Sequence, residues 1–296
     1  MNYYNEIKKK LIDNEIYEKV KDYSKERHRV IVYYEIGKLL SEAGRHYGEN
    51  IIGEYSKKLT VEVGKKYNKR TLFRMRQFYN IFSDEKVSPL VTQLTWSHYI
   101  ELLSLKDKNK ILYYINIAIE QNLSKRRLRE KIKANEYDRL DDKTKLKLIN
   151  LEKLEINDFV KNPIIIKNTN NYEIVNEKIL KQLILEDLDN FMEELGNGFS
   201  YVKNEYKIKL GDSYNYIDLL LFNIQYNCYV VIELKVIELR KEHIGQIQVY
   251  MNYIDKNIKN INHDKTIGII IVKKDNKFIL EYSSDERIYE TTYILE

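Results

Sequence analysis

Residues 216–235 read YIDLLLFNIQYNCYVVIELK. Two apolar, β-branched runs flank a polar middle, and each run carries charge where a buried strand should have none. Bounded by turn residues and separated by roughly five positions, the runs predict a β-hairpin. With the turn centred on Gln225–Tyr226, Asp218 lies directly across from Glu233, at a Cβ separation of ~4.5–5.5 Å. Lys235, two residues beyond Glu233, points to the same face. A slip of one residue would send Asp218 to the other face, so the chemistry depends on register.

Two opposed carboxylates repel each other, and desolvating them among Leu, Val and Ile costs several kcal/mol per ion. Lys235 supplies one compensating charge. A third carboxylate from the preceding helix would bring the patch to a charge suited to one divalent cation. Hard carboxylate oxygens select Mg²⁺ or Mn²⁺. A lysine beside such an ion can orient or deprotonate a water aimed at a phosphate. The same three residues also fit an edge strand guarded by Glu and Lys.

The flanking sequence predicts an α/β domain with helices on a mixed sheet. NEKILKQLILEDLDNFMEELGNG reads as a long helix closed by glycines, and YVKNEYKIKL alternates like a strand. KEHIGQIQVYMNYIDKN has helical periodicity. TIGIIIVKK, KFILEYSS and TTYILE read as further strands.

In combination these segments resemble the core of the PD-(D/E)xK nuclease superfamily. More narrowly, YIDLLLFN, VVIELKV and HIGQIQVYMNYID are similar to the YhcG-type family. So are YYEIGKLL, RTLFRMRQFY, LTWSHYIELL and IEQNLSKRRLREKI nearer the N-terminus, where that family has a helical domain of unassigned function. The resemblance implies a restriction-endonuclease-like α/β domain and a metal-dependent endonuclease. It places Asp218, Glu233 and Lys235 at the catalytic positions. Asp218, Glu233 and the carbonyl of Leu234 would ligate Mg²⁺ or Mn²⁺. Ile217 stands where the superfamily has the proline of its "PD". An acid in the first core helix is also expected; Glu177 and Glu186 are candidates, and the resemblance favours Glu177. Gln246 and Tyr250 share a helix face and resemble the Q-x-x-x-Y pattern of RecB-like members. That makes Gln246 a further catalytic candidate, whereas His243, one turn earlier, reads as a surface histidine.

Residues 1–140 look helical throughout. Stops are expected at Gly44 and near Gly64, and caps at Asn68, Ser97 and Ser124. SDEKVSP reads as a loop. This half holds 29 Lys+Arg against 19 Asp+Glu, whereas residues 141–296 hold 21 against 26. Basic residues concentrate in two runs. The first contains Lys65, Lys66, Lys69, Arg70, Arg74 and Arg76, opposite an apolar face of Leu72, Met75, Phe78, Tyr79 and Phe82. A helix ending near Gly64 followed by one starting at Asn68 resembles a helix-turn-helix presenting arginines to a DNA groove. The second run contains Arg126, Arg127 and Arg129. Both are nearly single-signed, which points to a polyanion, most simply DNA. Trp96, His98 and Tyr99 read as core anchors.

The expected organisation is therefore a basic helical nucleic-acid-binding domain over 1–140, a linker over 141–170 and a nuclease-like domain over 171–296. No apolar run approaches the ~20 residues of a membrane span, and the N-terminus lacks the apolar stretch of a signal peptide. One cysteine, Cys228, rules out an intramolecular disulfide and fits a reducing cytoplasm. Double-strand cleavage would favour a homodimer. An inactive nucleic-acid-binding protein on a nuclease scaffold, or a protein-interaction module, remains open at this level.

Overall fold

The computed structural model describes residues 2–19, 24–48, 50–83, 93–150, 152–276, 279 and 285–296. The chain divides into two compact units, Met1–Tyr137 and Asp138–Glu296. The expected loop over 83–89 and the strand KFILEYSS lie largely outside the described residues.

The first unit is helical: α1 (Tyr3–Lys19), α2 (Lys25–Tyr47), α3 (Ile51–Glu62), α4 (Lys69–Phe82), α5 (Trp96–Leu102), α6 (Lys108–Glu120) and α7 (Lys125–Lys133). Asn68 caps α4 by accepting from the Thr71 amide at 3.2 Å, and Ser124 caps α7 by accepting from Arg127 at 3.3 Å. Two expected boundaries move. Gly44 is buried inside α2, which runs on to Tyr47 and stops at Gly48, where φ is 81°. The α5 cap position is Thr95 rather than Ser97. Leu72, Met75, Phe78 and Phe82 form the buried face of α4. The ring of Phe78 meets those of Phe82, Trp96 and Tyr99 at centroid distances of 4.7–5.3 Å. Gly37 lets α2 and α4 approach closely, because a Cβ there would collide with the Met75 carbonyl.

The second unit carries a six-stranded sheet in the order β1-β6-β5-β4-β3-β2. Its strands are β1 (Ile164–Ile166), β2 (Phe199–Leu210), β3 (Ser213–Asn223), β4 (Cys228–Glu238), β5 (Ile267–Lys274) and β6 (Ile288–Leu295). β2, β3 and β4 form an antiparallel meander, while β4, β5, β6 and β1 run parallel. The reading of 141–170 as a linker is corrected: this stretch holds α8 (Asp142–Asn150), a 3₁₀ turn (Ile156–Phe159) and β1. The triplet Ile164–Ile166 sits on the sheet because two of its side chains bury against the core.

Each sheet face has its own core. α9 (Glu177–Glu186) and α10 (Leu188–Leu195) pack over Leu219, Leu221, Val230, Ile232 and Leu234. α11 (Lys241–Asn257) packs over Leu220, Val231, Ile270 and Val272. Alternate residues of β3 and β4 thus feed opposite layers, as the pleat requires. The single long helix expected over 176–195 is broken at Asp187, whose ψ of 57° leaves helical geometry. A buried ion pair locks the start of this unit to α10: Arg139 Nη2 donates to Glu194 Oε1 at 3.0 Å, and the Ile165 amide donates to Glu194 Oε2 at 2.9 Å.

Candidate active site

The site lies where the hairpin forks. The β3–β4 ladder runs from Asn223–Cys228 to Leu219–Ile232, the register expected from the turn position. One rung further stand Asp218 and Glu233, and here backbone pairing gives way to side-chain pairing. The Leu234 amide donates to Asp218 Oδ2 at 3.0 Å. Glu233 is only 2% exposed. Its Oε1 accepts from Lys235 Nζ at 2.8 Å, and its buried Oε2 has no hydrogen-bond partner. Burial, reinforced by the charge of Asp218, pushes the Glu233 carboxyl up to about 7. Burial works against the Lys235 ammonium, yet Glu233, Glu177 and Asp218 outweigh it and raise its pKa.

Helix α9 supplies two more charges. Asn176 caps it by accepting from the Ile179 amide at 2.9 Å. This places Glu177 in the first turn, with Oε1 3.7 Å from Lys235 Nζ. One turn later, Lys181 Nζ lies 3.1 Å from Asp218 Oδ1 and 3.0 Å from Glu205 Oε1. The sequence reading missed Lys181. The available signal was its i, i+4 spacing from Glu177, which puts both on one helix face. Glu205, on the rung facing Asp218, has a φ of 46° in the left-handed region. Such backbone costs ~1–3 kcal/mol and concentrates at functional sites. Glu186 lies elsewhere, bonded to Gln182 at 2.8 Å and Thr169 at 3.3 Å.

Helix α11 closes the other side. Gln246 Nε2 donates to the Tyr250 hydroxyl at 3.0 Å, so the expected pair forms. Burial raises the Tyr250 pKa, and the charges of Glu233 and Asp218 add to the rise. The surface reading of His243 is corrected. It is 4% exposed, and its Nδ1 accepts from the Arg240 amide at 3.1 Å, capping the helix. Burial and then Lys235 lower its pKa.

Among the described residues no group of three or more His, Cys, Asp or Glu is gathered to hold a metal. The donor set still fits a magnesium-like ion, which uses one or two carboxylates and otherwise water and substrate phosphate. Asp218 and Glu233 would be those carboxylates, and the buried Glu233 Oε2 has no hydrogen-bond partner.

The basic residues of the first unit sort unevenly. Lys66 is committed to Glu15 at 2.5 Å and Glu18 at 3.0 Å. Arg129 grips Glu101 through two bonds of 2.9 and 2.8 Å, and Arg126 and Arg127 both pair with Glu130. Arg76 lies over the Phe73 ring at 5.6 Å. Among the described residues no ion pair engages Lys65, Lys69, Arg70 or Arg74, and all but the half-buried Arg74 are exposed. Trp96 and Tyr99 are buried core, and His98 ties the Thr95 hydroxyl to the Leu123 carbonyl.

A mixed sheet with an Asp at the fork of a hairpin and a Glu-x-Lys on the next strand defines a PD-(D/E)xK-type nuclease domain. The YhcG PDDEXK nuclease domain matches residues 157–294, and the DUF1016 N-terminal domain matches residues 9–139. The C-terminal part of the chain is thus similar to the YhcG PDDEXK nuclease domain, and the N-terminal part to the DUF1016 N-terminal domain. A relative named "Putative nuclease YhcG" from Escherichia coli (strain K12) is 23% identical over 279 residues, covering 82% of this chain and 74% of its own. Among solved structures, a repair endonuclease from Pyrococcus abyssi aligns at 18% identity with a TM-score of 0.30. The EndoMS–dsDNA2 complex aligns at 19% identity with a TM-score of 0.31. Each alignment covers 41% of this chain, and the chain spans about half the length of those structures, 48% and 47%.

Proposed function

We propose that this chain hydrolyses phosphodiester bonds in DNA with a divalent cation, Mg²⁺ or Mn²⁺. The observation that carries the reading is the buried Glu233 carboxyl, one oxygen on Lys235 and the other without a partner, across the hairpin from Asp218. Stability alone offers no reason to leave such an oxygen unmatched. Asp218 and Glu233 would hold the ion, with the Leu234 carbonyl beside them and Glu177 completing the outer sphere. When bound, the ion would supply Lewis-acid stabilisation of charge on the phosphoryl oxygens. Lys235 would orient the attacking water and offset the developing negative charge. Its ammonium stays protonated because three carboxylates surround it. Gln246 fixes the Tyr250 hydroxyl at the edge of the site.

The helical unit would bind the DNA backbone, chiefly through Lys65, Lys69, Arg70 and Arg74. Lys66, Arg126, Arg127 and Arg129 would contribute less, since each already has an acidic partner. The test is nicking of supercoiled DNA with Mg²⁺, Mn²⁺ or EDTA. Asp218→Ala and Lys235→Ala are each expected to abolish cleavage while leaving DNA binding largely intact. Both variants cutting as well as the parent would refute the assignment. A second reading, binding without hydrolysis, is favoured by Lys181, which already neutralises Asp218. Calorimetry with Mn²⁺ separates the two, because a dead site gives no heat that depends on Asp218.

A further inference from the structure

The β2–β3 hairpin continues past Asp218 as a two-stranded ribbon, turning through Gly211 at a φ of 59°. Two rungs of this ribbon pair Lys209 with Tyr214 and Lys207 with Tyr216. Opposed residues and residues two apart share a face, so these four side chains project together. The opposite face is spoken for: Ile208 and Ile217 are buried in the α11 core. Tyr214 and Tyr216 are 55% and 53% exposed, and both lysines are exposed. Lys207 Nζ sits 3.7 Å from the centroid of the Tyr214 ring. Exposed tyrosines alternating with lysines stand out in a half of the chain whose net charge is −5.

From this placement we infer that the Lys207–Lys209–Tyr214–Tyr216 face binds a single, unpaired nucleic-acid strand and delivers it to Asp218. Tyrosine faces stack on bases without regard to sequence, and neighbouring lysines meet the phosphates. A duplex keeps its bases stacked on one another and offers these rings nothing equivalent. Tyr216 lies two residues from Asp218, about 7 Å along an extended strand. A strand lying on the ribbon therefore ends close to Asp218. The inference rests on the nuclease reading and names the form of substrate that site takes.

The test is fluorescence anisotropy of a labelled thymidine oligonucleotide and of a duplex of equal length, with the full chain in EDTA. Tyr214→Ala and Tyr216→Ala are each expected to weaken single-strand binding about tenfold, whereas Tyr→Phe at either position retains it. The double variant Lys207→Ala/Lys209→Ala should lower the log–log salt slope for the single strand by about 1.4, for two phosphates. Duplex affinity should change less than twofold. Unchanged oligonucleotide binding would overturn the inference and leave the lysines as guards of an exposed edge. Equal losses for both ligands would overturn the preference for an unpaired strand. Cleavage by the parent is scored separately. If the parent never cuts yet the ribbon variants lose oligonucleotide binding, the nuclease reading falls and the ribbon stands. If the parent cuts and the ribbon variants bind and cut like it, the ribbon falls and the nuclease reading stands.

Discussion

Glu233→Gln tests the central electrostatic feature without requiring any substrate. The Glu233 carboxyl is raised from its ordinary 4.5 to about 7 by burial and by Asp218. At 1.36 kcal/mol per pH unit, that rise corresponds to roughly 3 kcal/mol. The sign follows from linkage. A carboxyl whose folded pKa lies above its unfolded value contributes fully to stability below about 4.5, and the contribution is lost as pH climbs through about 7. In EDTA, the parent should lose about 3 kcal/mol relative to Glu233→Gln between pH 5 and pH 8. For a unit of this size the loss is a relative fall in Tm of about 6–12 °C. Glu290, which burial also raises to about 7, titrates in both proteins and cancels in the difference. Urea or thermal denaturation followed by circular dichroism measures it. Parallel pH curves for parent and variant would refute the argument. With the parent, divalent-ion affinity should climb with pH up to about 7 and then level off, because the ion competes with the Glu233 proton.

Two further outcomes follow from the geometry. Lys181→Met removes the cation from Asp218 and should tighten Mn²⁺ binding about tenfold by calorimetry, given the ~1.5–3 kcal/mol of a charged hydrogen bond; weaker binding would show that Lys181 supports the ion rather than competing with it. Arg139→Ala leaves Glu194 buried beside the Ile165 amide without its guanidinium and should cost about 3–5 kcal/mol in urea denaturation.

The hairpin and its register were legible in the sequence because turn length and strand composition are local signals. The juxtaposition of Asp218 and Glu233 followed from that register, whereas the roles expected of them and of Lys235 came from the family resemblance. Lys181 was not legible, since its partners lie on strands far along the chain, and a helix face does not announce what it will meet. The commitments of Lys66 to Glu15 and Glu18, and of Arg129 to Glu101, were hidden for the same reason. A single-signed run says nothing about acids donated by other helices. Three isoleucines in KNPIIIK were too few to outweigh the polar residues around them, so β1 was read as linker. His243 looked exposed because its neighbours Arg240, Lys241 and Glu242 are charged, whereas the cap turns its ring inward.

The position of β6 between β1 and β5 has a consequence for how the second unit is assembled. Tyr293 must find Ile164 across more than a hundred intervening residues, and it slots between two strands rather than adding to a rim. Until that insertion happens, β5 and β1 both present bare hydrogen-bonding borders, a state prone to intermolecular pairing. The meander carrying Asp218 and Glu233 forms from neighbouring sequence and can arise first. The half of the sheet that carries Asp218 and Glu233 thus needs only local pairing, while the border of β5 is closed by the last strand of the chain.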